Sequence, residues 1–79
     1  MYVKQISVFV ENKFGHLEEI ISLLGENDID ISALSLADTT EYGLLRLIVN
    51  NPQKGKEELT SAGFSTILTD ILIVKIAHE

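Results

Sequence analysis

The chain has 79 residues, which fits one small domain, and its hydrophobic fraction of 46% is typical of a folded protein rather than a disordered one. The absence of cysteine excludes disulfides, thiolate metal sites and cysteine nucleophiles. The formal net charge of −6 leaves too few cations for the basic face that nucleic acid or an anionic membrane surface requires.

The first strand and the first helix are predicted by their hydrophobic periodicity. Residues 2–11 alternate weakly between apolar and polar, which indicates a strand. The side chains expected on its buried face are Ile6, Val8 and Val10. A helix is expected from about Gly15 to about Asn27, because apolar residues recur there at helical spacing. Its predicted buried stripe consists of Leu17, Ile20, Ile21 and Leu24.

Two strands, a second helix and a last strand follow. The expected ranges are residues 29–38 and 44–50 for the two strands, 39–43 for a hairpin turn between them, and 65–77 for the last strand. Asn51 and Pro52 predict the N-cap and first position of the second helix, and Gly63 suits its C-terminal cap. The order βαββαβ predicts one α+β domain, a ferredoxin-like sandwich with two helices on one face of a four-stranded antiparallel sheet.

The sheet face away from the helices is also expected to be apolar. Val3, Phe9 and Ile48 lie on it, and the last strand is apolar on both sides. Exposed apolar patches of this size mark interfaces, although imperfect alternation in a small domain is an alternative explanation. We therefore expect a homo-oligomer. The predicted interface residues are Phe9, Leu23, Leu34, Leu36, Leu44, Arg46, Ile48, Ile71 and Ile73.

The segment between the first strand and the first helix suggests ligand chemistry. A glycine at such a junction lets a ligand approach the backbone, and the free amides of a helix start favour a carboxylate. The predicted ligand-binding residues are Asn12, Lys13, Phe14, Gly15, His16 and Leu17. Structural alternatives stay open: Gly15 serves a tight turn, Asn12 caps the helix, and His16 is a solvated surface residue.

The element order and residues 12–17 and 27–31 together resemble the ACT domain, a small ligand-sensing module usually attached to enzymes of amino-acid metabolism. The family loop reads roughly Asp/Asn-x-Pro-Gly-x-Leu. This chain matches it at Asn12, Gly15 and Leu17, whereas Phe14 stands where proline is usual. The ring of Phe14 then packs across a dimer seam, packs against a ligand, or disables the pocket.

The match is closer to the first repeat of free-standing tandem ACT proteins, on residues 4–9, 33–39 and 45–49. This resemblance implies a cytoplasmic, non-catalytic regulatory module that binds an amino acid at a dimer seam and needs no cofactor. The alternative is a ligand-free domain for oligomerisation or for docking on an enzyme. The chain ends about where the loop of a second repeat begins in those proteins, so a natural single repeat and a removed second repeat both stay open.

Catalytic and metal-binding patterns are not evident. There is no serine–histidine–acid set, and residues 11–16 carry no arginine to hold a phosphate. The two histidines, His16 and His78, have no metal-site spacing. Arg46, the only arginine, is expected on the sheet face away from the helices, where it pairs with a carboxylate on a neighbouring strand or on a partner chain. No stretch approaches the ~20 apolar residues of a membrane span, and the start of the chain lacks a secretory pattern.

Overall fold

The computed structural model describes residues 2–11, 13–38 and 42–72, with the backbone alone for residues 13, 14 and 38. The described elements follow the predicted order βαββαβ. They are β1 Tyr2–Val10, α1 Lys13–Glu26, β2 Ile31–Asp38, β3 Gly43–Val49, α2 Pro52–Ser61 and β4 Ser65–Leu72. Neither helix is long and apolar enough to cross a membrane.

The strands form one antiparallel sheet in the order β2-β3-β1-β4. β1 lies in the interior of the sheet, where Ile6 pairs with Leu47 of β3 and with Leu68 of β4. Helix α1 packs against β1 and α2, and α2 packs against β1, β3 and β4. The predicted ferredoxin-like sandwich is therefore confirmed.

The core lies between the sheet and the two helices. The sheet contributes the predicted alternating side chains of β1 and β3, which are buried because the helices cover that face. The fully buried side chains are Ile6, Val8, Val10, Ile20, Leu24, Leu45, Leu47 and Leu59. Burying each of these stabilises the fold by about 1.5–3 kcal/mol before chain entropy is counted.

The first helix differs from its prediction at its start and in its buried stripe. It begins at Lys13, so Gly15 lies inside the first turn and not in a loop before it. Glycine is tolerated there because the first N–H groups of a helix have no intrahelical partner in any case. Ile21 was predicted to be buried but is 43% exposed, because about 100° of rotation per residue turns it away from the buried Ile20.

The end of α1 also shifts the start of β2. Asp28 takes a left-handed conformation with φ of 58°, and the Ile29 N–H donates to the Leu24 carbonyl at 2.9 Å. This closure is a Schellman-type cap. The buried Ile29, predicted as the first residue of the strand, belongs to this cap, and β2 begins at Ile31.

The second helix has the predicted caps. Asn51 Oδ1 accepts a hydrogen bond from the Lys54 N–H at 3.3 Å, and Pro52 is the first helical residue. At the other end Gly63 takes φ of 98°. The Phe64 N–H then donates to the Leu59 carbonyl at 3.0 Å, which closes the helix in the same way as α1.

Two details of the strands correct the sequence interpretation. Gly43 was predicted in the hairpin turn, but it is the first residue of β3 and pairs with Val10. The pairing of β2 with β3 shifts register between Ile31 and Ala33, which is a bulge. Residues 39–41 of the predicted turn and residues 73–77 of the predicted last strand lie outside the described residues.

Candidate functional site

A cleft of about 280 Å³ opens at the start of α1. Three parts of the fold form its walls: the end of β1, the first two turns of α1, and the connection from α2 to β4. The residues that line it are Phe9, Val10, Glu11, His16, Glu19, Ala62, Gly63, Phe64 and Ser65. This is the region where the sequence predicted ligand chemistry.

His16 is held at the wall of the cleft by two contacts. Its Nδ1 lies 3.2 Å from Glu19 Oε2, one helical turn further along α1. Its ring meets the ring of Phe64 at a centroid distance of 5.7 Å and an angle of 87°, which is an edge-to-face contact. The pair with Glu19 is largely exposed and adds little stability. The two contacts therefore orient the imidazole more than they stabilise the fold.

The cleft combines two opposite electrostatic features. Glu11 and Glu19 line it, and no lysine or arginine does among the side chains that the structure describes, which do not include that of Lys13. Helix α1 begins shortly after Glu11, and the unpaired amide groups of its first turn carry the positive end of the helix dipole. A ligand with separate positive and negative groups suits such a site. Among the described residues, no group of three or more histidine, aspartate or glutamate side chains is placed to hold a metal ion.

The predicted ligand-binding residues are only partly brought together. His16 lines the cleft. Gly15 is exposed, and a Cβ added to it would meet nothing within 4 Å. Leu17 packs against the core. Lys13 and Phe14 form the start of α1, and Asn12 lies outside the described residues. A ligand contact at these six positions stays a prediction.

Of the described residues that line the cleft, only His16 was among the six predicted ligand-binding residues. Glu11, Glu19 and Phe64, which give the cleft its charge and its aromatic contact, were not among them. Phe64 meets His16 only because the α2–β4 turn returns to the start of α1. The predicted cap at Gly63 was the one available signal, since it marks where the chain reverses.

The predicted interface residues divide between two surfaces, the first of which is the open face. This surface is the side of the sheet that neither helix covers, as the strand registers define it. It carries Val3, Gln5, Ser7, Phe9, Ala33, Ser35, Ala37, Leu44, Arg46, Ile48, Ser65, Ile67, Thr69 and Ile71. Five predicted interface residues lie on it, namely Phe9, Leu44, Arg46, Ile48 and Ile71.

The second surface is the β2 edge, formed by Leu34 and Leu36 on the helix side of the sheet. These leucines pair with the buried Leu47 and Leu45, but they remain 44% and 39% exposed, because the helices pack mainly over the other strands. Leu23 is half-buried against the core, and Ile73 lies outside the described residues. An interface at either surface stays a prediction.

Arg46 occupies the middle of the open face, as predicted. It stands opposite Ser7 on β1 and Ser35 on β2. It makes no hydrogen bond or ion pair within the described part of the chain. The prediction of a carboxylate partner on a neighbouring strand is therefore wrong, because the residues paired with Arg46 on both sides are serines. The alternative, a carboxylate from a partner chain, remains.

Comparison with known proteins identifies the family. The family model of the ACT domain pair matches residues 1–79. This chain belongs to the ACT domain family. The resemblance read from residues 12–17 and 27–31 is confirmed. ACT domains are regulatory, ligand-binding modules that are not themselves catalytic.

Solved structures place this ACT domain among similar folds. A protein from Bacteroides thetaiotaomicron gives a TM-score of 0.85 at 40% identity, over 89% of this chain and 49% of that one. The ACT domain of prephenate dehydrogenase from Bacillus anthracis gives a TM-score of 0.72 at 25% identity, over 80% of this chain and 99% of that one. The regulatory subunit of aspartate kinase from Thermus thermophilus shares the fold, with a TM-score of 0.70 at 18% identity, over 84% of this chain and 49% of that one. No protein of curated function matches significantly.

The length of the Bacteroides relative bears on assembly. The match extends over 89% of this ACT domain but over only 49%, about half, of the Bacteroides chain. The matching family model is that of a pair of ACT domains. One copy of this chain therefore corresponds to one member of such a pair.

Proposed function

We propose that this ACT domain is a cytoplasmic, non-catalytic regulatory module that binds an amino acid at the start of α1 and acts as a dimer or larger oligomer. The observation that carries the proposal is the cleft at the start of α1, which Glu11, His16 and Glu19 line. The family supports the regulatory role.

The chemistry of the cleft suits the two charged groups of an amino acid. The unpaired amides at the start of α1 favour the ligand's carboxylate. Glu11 and Glu19 favour its ammonium group. A ligand with only one of these charges makes only one of the two favourable contacts. The volume of about 280 Å³ lies at the small end of ligand sites, which favours a small amino acid.

The dimer we propose uses the β2 edge. An edge strand offers unpaired backbone groups to a second chain, and Leu34 and Leu36 would lose their exposure against that chain. The cleft lies at the β1 and β4 side of the sheet, so one copy supplies the polar contacts to the ligand. The ligand shifts the dimer equilibrium only as far as its affinities for the two states differ.

Isothermal titration calorimetry against the common amino acids, with thermal shift as a second readout, tests ligand binding. We expect at least one amino acid to release or absorb heat and to raise the melting temperature. Gly15→Gln should abolish this response, because the added side chain would stand beside the first-turn amides that we propose for the ligand's carboxylate. The domain should stay folded, because that side chain enters open space and glutamine favours a helix. Gly25→Gln is the matched control, since Gly25 lies in the same helix with nothing within 4 Å of an added Cβ.

The amino-acid proposal fails if no amino acid gives heat or a melting shift with the folded wild-type protein. It fails equally if Gly15→Gln and Gly25→Gln both bind as the wild type does. Unfolding of Gly15→Gln alone would mean that Gly15 serves helix geometry. In that case Glu19→Gln, which changes one exposed charge of the cleft, replaces it as the binding variant.

A second candidate function is a ligand-free interaction domain. The uncovered open face favours it, because Phe9 and Ile67 are 45% and 53% exposed there. Under this alternative the protein associates with a partner but none of the amino acids changes its melting temperature. Calorimetry and sedimentation on the same sample therefore separate the two functions.

A further inference from the structure

The open face differs from the rest of the molecule in its charge. The formal net charge of the chain is −6, yet none of the acidic residues within the described strands lies on this face. Asp70 of β4 lies on the helix side, where it pairs with Lys4 at 2.8 Å. Charge is thus kept off a surface that no element of the described chain covers. Interface cores show the same depletion of charged residues.

Arg46 is the one exception, and it has no acceptor. It lies at the centre of the open face between Ser7 and Ser35, without an ion pair in the described part of the chain. Beside it is a depression of about 90 Å³. The residues that line the depression are Gln5, Ala33, Leu34, Ser35, Arg46 and Ile48. Its volume admits one small side chain.

A second copy of this chain is a poor occupant of the open face. Stacking two such faces would bury two guanidinium groups, while neither face offers a carboxylate from its described strands. Burying an unpaired charge is strongly unfavourable. In the dimer that we propose, self-association uses the β2 edge and the open face stays free.

We propose that the open face docks a different protein, which presents an apolar patch with one aspartate or glutamate at its centre. That carboxylate enters the depression beside Arg46 and forms the bidentate pair that a guanidinium favours. The surrounding contacts come from Phe9, Ile48 and Ile67. The proposal rests on the proposed function only in taking the module as the regulator of a separate protein.

The size of the open face suits a reversible contact. Four strands spaced ~4.8 Å apart, with about eight residues at ~3.4 Å rise, present roughly 500 Å² of flat surface. A stable specific interface buries about 800 Å² on each partner. A surface at the low end of this scale fits a contact that is made and broken during regulation. The central ion pair then supplies specificity.

Photo-cross-linking in the cells that make the protein tests the proposal. p-Benzoylphenylalanine replaces Ile67 in one variant and Thr69 in another, because both positions lie on the open face and are exposed. Gln53, exposed on α2, is the control position. We expect the first two variants, but not the control, to cross-link one other protein, which mass spectrometry identifies. Two positions are used so that a folding defect at one does not decide the result.

A charge exchange then tests the ion pair. Arg46→Glu should lower the cross-linking yield about tenfold or more. Replacing the contacting acidic residue of the identified partner by arginine should restore it. Arg46→Glu should leave the calorimetric response to amino acids unchanged, because Arg46 is not among the residues of the cleft. The two proposals can therefore fail independently.

Four outcomes would overturn the docking proposal. These are adducts between two copies of this chain, adducts to lipid or nucleic acid, no adduct above the control position, and an adduct to another protein whose yield Arg46→Glu does not change. Circular dichroism of each variant confirms that the fold is retained before any outcome is counted.

Discussion

At the scale of single residues, the glycines show how differently one residue type is used. Gly15 and Gly25 lie in α1 with open space where a Cβ would be. Gly55 lies in α2 directly over the sheet, where a Cβ would come within 3.0 Å of Ile6 Cδ1 and 3.4 Å of Val49 Cγ2. Only at Gly55 does the absence of a side chain permit a close approach between helix and sheet.

The first prediction concerns this approach. Gly55→Leu should lower the free energy of unfolding by about 1–3 kcal/mol or more, because the added atoms overpack a fully buried part of the core. Gly25→Leu is the control and should change the free energy by less than about 1 kcal/mol. Urea denaturation of both variants measures the difference. Equal stability of the two variants would contradict the close packing of α2.

Arg46 and His16 are single residues whose roles the sequence left open. The neighbours that define their surroundings are remote in the chain: Ser7 and Ser35 for Arg46, and Phe64 for His16. No local pattern reports such neighbours. For this reason the sequence indicated the region of the candidate site but not the residues that complete it.

At the scale of elements, the caps join the two helices. Lys54 Nζ donates to the Asn27 carbonyl at 2.9 Å, which links the start of α2 to the end of α1. Nearby, the Asp30 N–H donates to Asn50 Oδ1 at 3.0 Å. Together with the N-cap at Asn51, these hydrogen bonds hold one end of the sandwich, where the chain enters β2 and leaves β3.

The second prediction concerns the N-cap of α2. Asn51→Ala should lower the free energy of unfolding by about 1 kcal/mol, since the Lys54 N–H loses its side-chain acceptor. Gln53→Ala, on the exposed part of the same turn, should change it by less than about 0.5 kcal/mol. Thermal denaturation followed by circular dichroism distinguishes them. If the melting curves of Asn51→Ala and Gln53→Ala coincide, the side chain of Asn51 does not stabilise α2 as a cap.

The third prediction concerns the cap at the other end of α2. Gly63→Ala should lower the free energy of unfolding by about 1 kcal/mol, because φ of 98° is unfavourable for a residue with a side chain. Gly63→Asn should recover part of this loss, since asparagine tolerates positive φ better than alanine. Chemical denaturation of both variants gives the comparison. If alanine is as stable as asparagine here, the left-handed cap is not formed.

Much of the element structure was predictable because periodicity is local. The alternation in β1 and β3, the caps at Asn51 and Gly63, and the order of elements all follow from neighbouring residues. The side of the sheet on which Leu34 and Leu36 lie could not be predicted in this way. A bulge between Ile31 and Ala33 shifts the alternation by one residue. A shift of one residue moves every later side chain to the other face, and no residue type at that point announces it.

At the scale of the whole molecule, this ACT domain corresponds to one half of a longer relative. A small domain buries only about 60% of the surface that its unfolded chain exposes. Eight described large hydrophobic side chains remain exposed here, among them Leu34, Leu36 and Leu72. The association that we propose would cover apolar surfaces that one copy leaves exposed.

The fourth prediction concerns this association. Two copies joined by a flexible glycine–serine linker should keep a higher melting temperature at dilutions where the separate chains lose their contact with each other. The linker makes pairing intramolecular, with an effective concentration on the order of millimolar. Leu36→Lys in both halves of the fusion should remove the advantage, because the lysine places a charge on the β2 edge. Thermal shift over a dilution series measures this. An advantage that survives Leu36→Lys would place the contact elsewhere.

The bulge in β2 has a consequence for polymerisation. A sheet with two unpaired edge strands can grow into a ribbon, and such ribbons are the route to fibrils. In the described sheet the edges are β2 and β4, and they are not equivalent. The irregular register at Ile31 shortens the regular stretch of β2, while β4 carries Asp70. A bulge and a charged side chain both hinder the pairing of a further strand, so the contact between β2 of one copy and β4 of the next that a growing ribbon needs is disfavoured.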